Sequence, residues 1–134
     1  MTDRTDKFLH RELCYFGNGQ KEAVYQNALA EALKNKGIKF EREVNIDILS
    51  PKSGNKMGSY RLDFVIDNKV IMEAKALTYT PRKIEDQLYS YLRSTPFEVG
   101  YLVNFGSTNL YIKRVILTND RKPYFNRIKH LFNL

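Results

Sequence analysis

Residues 61–76 read RLDFVIDNKVIMEAKA, and the fold turns on how this stretch divides. Two runs rich in strand-forming residues, Tyr60–Ile66 and Val70–Ala76, flank Asp67-Asn68-Lys69 and predict a β-hairpin. Side chains alternate along a strand, so Glu73 and Lys75 share a face with Ile71, while Val70, Met72, Ala74 and Ala76 take the other. On the preceding strand Asp63 shares its face with Arg61 and Val65, and Leu62, Phe64 and Ile66 point the opposite way. A two-residue loop would set Asp63 opposite Met72. A three-residue loop sets Asp63 opposite Glu73 and Arg61 opposite Lys75. Asn68 tolerates the left-handed backbone such loops need, so the three-residue register is predicted. A slip of one residue would send the two acids to different faces.

Two carboxylates directly opposite each other repel. A divalent cation between them reverses that cost, and a lysine two residues on could then orient a water or stabilise charge on a phosphate. The alternative is an exposed face on which Asp63, Glu73, Arg61 and Lys75 form surface ion pairs. These two strands alone leave the readings level.

Upstream, apolar residues recur at Val24, Tyr25, Ala28, Leu29, Ala32 and Leu33, a helical period. The helix is predicted to begin near Gly19 or Gln20, with Asn18 and Gly19 acceptable at the N-cap, and to end at Gly37. Glu22 falls on or beside the apolar stripe, where a carboxylate calls for a cationic partner. It could instead complement the helix dipole or cap with Gly19, and both roles are compatible. Phe40, Val44, Ile46 and Ile48 at even spacing predict a strand with one buried face. The polar segment 50–59 reads as a loop.

Downstream, Thr80 and Pro81 announce a second helix as cap and first-turn proline, with the stripe Ile84, Leu88, Tyr91 and Leu92 and a stop at Pro96. Gln87 and Tyr91 lie one turn apart on that stripe. The amide could hold Lys75, a water or a phosphate, or be a satisfied structural group. Residues 99–105 and 110–117 read as two more strands, and 124–132 as a short basic helix with the stripe Phe125, Ile128, Leu131 and Phe132. The order α-β-β-β-α-β-β-α predicts an α/β fold, a sheet covered by helices.

The whole chain, residues 1–134, fits one domain with a core over about 17–117. Hydrophobic residues at 43% and charged residues at 28% place it among ordinary globular proteins. No apolar run reaches the roughly 20 residues of a membrane span, and the N-terminus lacks the apolar core of a signal peptide, so a cytoplasmic, non-membrane location is expected. Cys14 is the single cysteine, which excludes an internal disulfide and a cysteine-rich metal site. His10 and His130 lie at opposite ends, so any metal would have mainly oxygen ligands, favouring magnesium, manganese or calcium. Lys and Arg number 22 against 15 Asp and Glu, a net charge of +7 that suits a polyanion partner. The basic residues are dispersed, among them Lys52, Lys56, Lys113, Arg114, Lys122 and Lys129, so no basic tail is indicated.

Taken in order, these residues resemble the GxxExxY proteins, a branch of the PD-(D/E)XK nuclease superfamily. Gly19-x-x-Glu22-x-x-Tyr25 matches the name motif, Asp63 the motif aspartate and Glu73-Ala74-Lys75 the (D/E)XK element. Gln87-Leu88-x-x-Tyr91 resembles the family's helix motif, and Leu102-Val103-Asn104-Phe105 its following strand. The likeness spans roughly Gly17 to Val115. Leu62 stands where the superfamily often has proline, and the sequence after Arg121 falls outside the match. The resemblance implies a mixed central sheet flanked by helices. It implies Mg2+, with Mn2+ as substitute, held by Asp63, Glu73 and the backbone carbonyl of Ala74, with Glu22 close by directly or through water. Lys75 would be the catalytic lysine, and Gln87 and Tyr91 supporting residues. The implied reaction is hydrolysis of a phosphodiester, in DNA before RNA, by in-line attack of water. The alternatives are a non-catalytic nucleic-acid-binding module and an accessory protein keeping the fold. The aromatic C-terminus (Tyr124, Phe125, Phe132) could support a homodimer or cap the core. No base-reading element such as a zinc finger is visible.

Overall fold

The computed structural model describes Lys7, Phe8, Arg11 and residues 19–50, 52–107 and 109–122. Its elements are helix α1 (Glu22–Asn35), strands β1 (Phe40–Leu49), β2 (Lys56–Ile66) and β3 (Val70–Lys75), helix α2 (Arg82–Arg93), and strands β4 (Val99–Asn104) and β5 (Tyr111–Ile116). A short 3-10 turn, Asn119–Arg121, follows. The five strands form one sheet in the order β1-β2-β3-β4-β5. Every neighbouring pair is antiparallel except β3 and β4, which α2 connects in parallel. The fold is therefore α/β with a mixed sheet, as predicted. The basic helix expected over 124–132 lies outside the described residues, as do Cys14, His10 and His130. Lys7, Phe8 and Arg11 are helical, where the sequence suggested no element.

One helix covers each face of the sheet. Tyr25, Leu29 and Leu33 of α1 pack on Phe64, Val70, Met72, Ala74, Tyr101 and Val103. Leu88, Tyr91 and Leu92 of α2 pack on Leu62, Val65, Ile71 and Leu102. A strand buried on both sides reads as a continuous apolar run, which is the character of β3 and β4. The Tyr111 hydroxyl donates to Glu85, tying α2 to the edge strand β5. Lys122, one of the dispersed basic residues, is buried and acts as a clamp. Its Nζ donates to the carbonyls of Thr95 at 2.7 Å and Phe97 at 2.6 Å, and to Asn119 Oδ1 at 2.6 Å.

Helix α1 starts at Glu22, later than predicted, because Gly19 has a φ of +94° and Lys21, at the N-cap, is still extended with ψ 151°. Its end follows the sequence. Gly37, at φ +70°, lets its own N–H reach Lys34 O at 3.0 Å and the N–H of Ile38 reach Leu33 O at 3.0 Å. That pair of bonds is a Schellman closure. Helix α2 begins at Arg82 with Pro81 in the N-cap position, one residue beyond the expected cap Thr80. Strand β2 begins inside the predicted loop, at Lys56, because Ser50 N–H donates to Asn55 O at 2.8 Å and closes the turn early.

The hairpin register came out as expected. Asp67 and Asn68 both have positive φ, and Lys69 N–H donates to Ile66 O at 3.0 Å. Lys69 is then the extra residue that sets Ile66 opposite Val70, Val65 opposite Ile71 and Phe64 opposite Met72. Two finer expectations fail. Arg61 is not opposite Lys75: the β2–β3 ladder ends at Phe64 and Met72, and Arg61 pairs with Asn45 on β1 instead. Leu62 does not share a face with Phe64, because Leu62 packs under α2 and Phe64 under α1. The cause is local. Glu43, between the rungs Arg42↔Phe64 and Val44↔Leu62, has φ +52°, and strict alternation breaks there. Phe40 accordingly joins the α1 side, whereas Val44 and Ile46 join the α2 side, so β1 does not bury one face throughout.

Candidate active site

Where the β2–β3 ladder stops, two carboxylates take over its hydrogen bonds. Asp63 N–H donates to Glu73 Oε1 at 3.1 Å, and Ala74 N–H donates to Asp63 Oδ2 at 3.0 Å. Each acid is thus oriented by a backbone donor beside the other. A backbone donor cannot swing away as a side chain does, so the pair is held in a fixed geometry.

The electrostatics are unfavourable for two anions. Glu73 is only 6% exposed. Burial first, and then the Asp63 carboxylate, push its pKa from 4.5 up to about 8, while Lys75 pulls in the opposite direction. Tyr91, on the buried face of α2, is raised to about 12 by burial and then by Glu73, with Tyr60 and Asp63 adding to it and a hydrogen bond with Gln87 opposing. The ring of Tyr91 packs 4.1 Å from that of Tyr60, centroid to centroid. Exposed-face ion pairing, the alternative reading of these strands, does not describe this pair. Arg61 turns to Glu43 at 3.9 Å, and Glu73 is buried.

Lys75 ends β3, and its Nζ lies 4.0 Å from Glu22 Oε1 at the start of α1. This is the cationic partner that the position of Glu22 demanded. Glu22 is half-exposed, at the edge of the stripe. Among the described residues, no group of three or more His, Cys, Asp or Glu converges, so Glu22 does not join Asp63 and Glu73 as a third close carboxylate. Gln26, one turn on from Glu22, makes the inward contact that the sequence reading missed. Its Nε2 donates to Glu22 Oε1 and to the carbonyl of Ala74, both at 3.4 Å. The spacing i to i+4 from Glu22 was the available signal. Gln87 is exposed, not buried on the stripe as expected, and its link to the site runs through Tyr91.

Asn104, a second residue without a predicted role, sits beside Lys75 in the β3–β4 ladder. It is fully buried. Its Oδ1 accepts from the N–H groups of Leu77 at 2.9 Å and Gly106 at 3.0 Å, and its Nδ2 donates to Thr80 Oγ1 at 2.9 Å. These bonds fix the chain as it leaves Lys75. The donor set at the acid pair suits a hard cation: two carboxylates, one buried against its own charge, and the neighbouring carbonyl of Ala74. The whole arrangement lies at the carboxyl ends of the parallel strands, where α/β sheets bind their ligands.

No curated protein matches the chain. A crystal structure, that of SSO0001, shares the fold at 21% identity with a TM-score of 0.56; the match covers 84% of this chain and 58% of that one. Among the described residues no helix is long and apolar enough to cross a membrane. The family model for the PD-(D/E)XK nuclease superfamily, whose members are typically nucleases using divalent metal ions, matches residues 9–115. With the paired acids and the lysine two residues on, that match gives the assignment: the chain belongs to the PD-(D/E)XK nuclease superfamily.

Proposed function

We propose that this chain is a Mg2+-dependent deoxyribonuclease of the GxxExxY branch, acting as a single nuclease domain in a reducing, cytoplasmic compartment. The observation that carries the reading is the pairing of half-buried Asp63 with buried Glu73, each acid held by a backbone N–H near the other, with Lys75 two residues on. Asp63, Glu73 and the Ala74 carbonyl would hold the metal. Two acids and one carbonyl leave room for the several waters that magnesium keeps, whereas calcium usually takes more protein oxygens. When bound, the cation supplies positive charge to the phosphate and lowers the cost of ionising water.

The chain's own residues do the rest. Lys75 stands beside the phosphate, orients the attacking water and offsets negative charge as the transition state forms. Glu22, 4.0 Å away, holds the Lys75 ammonium in place, and Gln26 ties α1 to the Ala74 carbonyl. Tyr91, steadied by Gln87 and packed on Tyr60, would keep bulk water from Glu73. The water oxygen bonds to phosphorus in line with the departing sugar oxygen, whose bond to phosphorus breaks. One strand is cut per event, so a double-strand break would call for a second copy of the chain.

The test is incubation of the purified chain with supercoiled plasmid, linear duplex and branched DNA, with Mg2+, Mn2+ or chelator, beside Lys75→Ala. Metal-dependent cutting that vanishes in Lys75→Ala is expected. Equal cutting by both proteins would indicate a contaminant. Metal and DNA binding without any cutting would establish the non-catalytic binding module instead.

A further inference from the structure

The connection from β3 to α2 leaves the sheet at the candidate site and runs through Leu77, Thr78, Tyr79 and Thr80. It is pinned on both sides of Tyr79, since Asn104 holds Leu77 N–H before it and Thr80 Oγ1 after it. Gly106 presses on the same connection: a Cβ there would sit 2.5 Å from the carbonyl carbon of Ala76 and the nitrogen of Leu77. From this fixed base Tyr79 points outward. At 70% exposed it is the most open large hydrophobic side chain among the described residues, ahead of Met57 at 64% and Ile116 at 44%. Contributing little to the core, its ring is available to an external partner.

We propose that Tyr79 is a stacking platform for an unpaired DNA base next to the scissile phosphate. The proposal rests on the nuclease reading and specifies its substrate class. Tyr79 is four residues from Lys75, a distance of at most about 14 Å even for a fully extended chain, so one strand can reach both. Arg82 and Lys83, exposed at the start of α2, follow directly and offer positive charge to the adjoining phosphates. A base inside a duplex already spends its faces on stacking, whereas an unpaired base offers one to the ring. The ring therefore favours single strands, frayed ends and branches over intact duplex. The alcohol is not needed for this, but the flat aromatic face is.

The test measures binding of the full-length chain, in chelator, to a single-stranded oligonucleotide carrying 2-aminopurine and to the matching duplex. Tyr79→Ala should weaken single-strand binding about tenfold and lose the 2-aminopurine quench, as expected for one lost stacking contact. Tyr79→Phe should keep both, and duplex binding should change less than about twofold in either variant. Single-strand affinity and quench in Tyr79→Ala equal to native would overturn the inference, as would equal losses on single strand and duplex. Plasmid cleavage run in parallel separates the two ideas. A native chain that cuts, with Tyr79→Ala binding like native, sinks the stacking platform alone. A native chain that neither binds nor cuts sinks the nuclease reading and this inference together.

Discussion

Glu73 on β3 and Asn104 on β4 are both polar and both buried, on adjacent strands of one parallel pair. They differ in how their needs are met. Asn104 uses both ends of its amide, with two N–H groups on the oxygen and Thr80 on the nitrogen. Glu73 receives one backbone donor and faces another carboxylate, and its pKa stands at about 8. A buried group with its partners in place contributes to the fold. A buried charge left in conflict costs stability and marks the place where something external completes the site. Asn104 has its partners within the fold, whereas Glu73 is the residue that the proposed function assigns to the metal site, although both look alike as buried polar residues.

The largest effect that would sharpen this contrast is on activity. Glu73→Gln keeps the side-chain shape and the Asp63 N–H bond but removes the carboxyl group that a bound cation would ionise. Cleavage should fall at least about 10³-fold while the metal-free protein melts no lower than native. A variant that cuts normally, read on plasmid with Mg2+, would remove Glu73 from the site. Next comes Asn104→Leu, which leaves the N–H groups of Leu77 and Gly106 without their acceptor. The expected loss is about 3 kcal/mol, or roughly 10 °C in Tm. A melting curve within about 2 °C of native would dissolve the contrast.

A pH series gives a smaller, graded effect. Glu73 in the folded chain holds its proton to about 8, against 4.5 for the free group. Between those values the folded state binds more protons than the unfolded one. The contribution of Glu73 to metal-free stability should therefore be fully present below the lower value and fall as pH rises towards 8, by at most about 1.4 kcal/mol per pH unit. Urea unfolding in chelator measures the slope, Glu73→Gln should flatten it, and Mg2+ should offset the loss by binding only the folded chain. A native slope no steeper than that of Glu73→Gln would count against a strained acid. The smallest effect is expected at the exposed pair of Arg61 and Glu43, 3.9 Å apart. Arg61→Ala should change stability by less than about 0.5 kcal/mol, because solvent screens such pairs.

Much of this was legible in the sequence because it rests on short-range rules. The Asp67-Asn68 turn fixes a register, and the register alone brings Asp63 to Glu73. The placement of Glu22 on a stripe edge required a cation, and Lys75 is there. Other features escaped because periodicity assumes a regular strand. Alternation breaks between Leu62 and Phe64 at the level where Glu43 on the partner strand has a positive φ, and no residue type at Glu43 signals that conformation. Gln87 was misplaced because a helical wheel sets it one turn from Tyr91 but does not say how far the buried stripe extends, and the folded helix buries only Leu88, Tyr91 and Leu92. Gln26 was missed because its partner is a backbone carbonyl 48 residues away, and a carbonyl leaves no mark in a sequence.

By itself, then, the sequence determined the order of the elements from α1 to β5, the α/β class and the hairpin register, and it singled out the acids and the lysine that the proposal uses. Those follow from side-chain alternation, helical period and turn chemistry, each acting within a few residues. Only the tertiary structure decided that the β2–β3 ladder ends at Phe64 and Met72, that Glu73 is buried while Glu22 stays half-exposed, and that Asn104 anchors the chain behind Lys75. Burial and long-range hydrogen bonds depend on which layers meet, and that is set by the packing of α1 and α2 on opposite faces of the sheet.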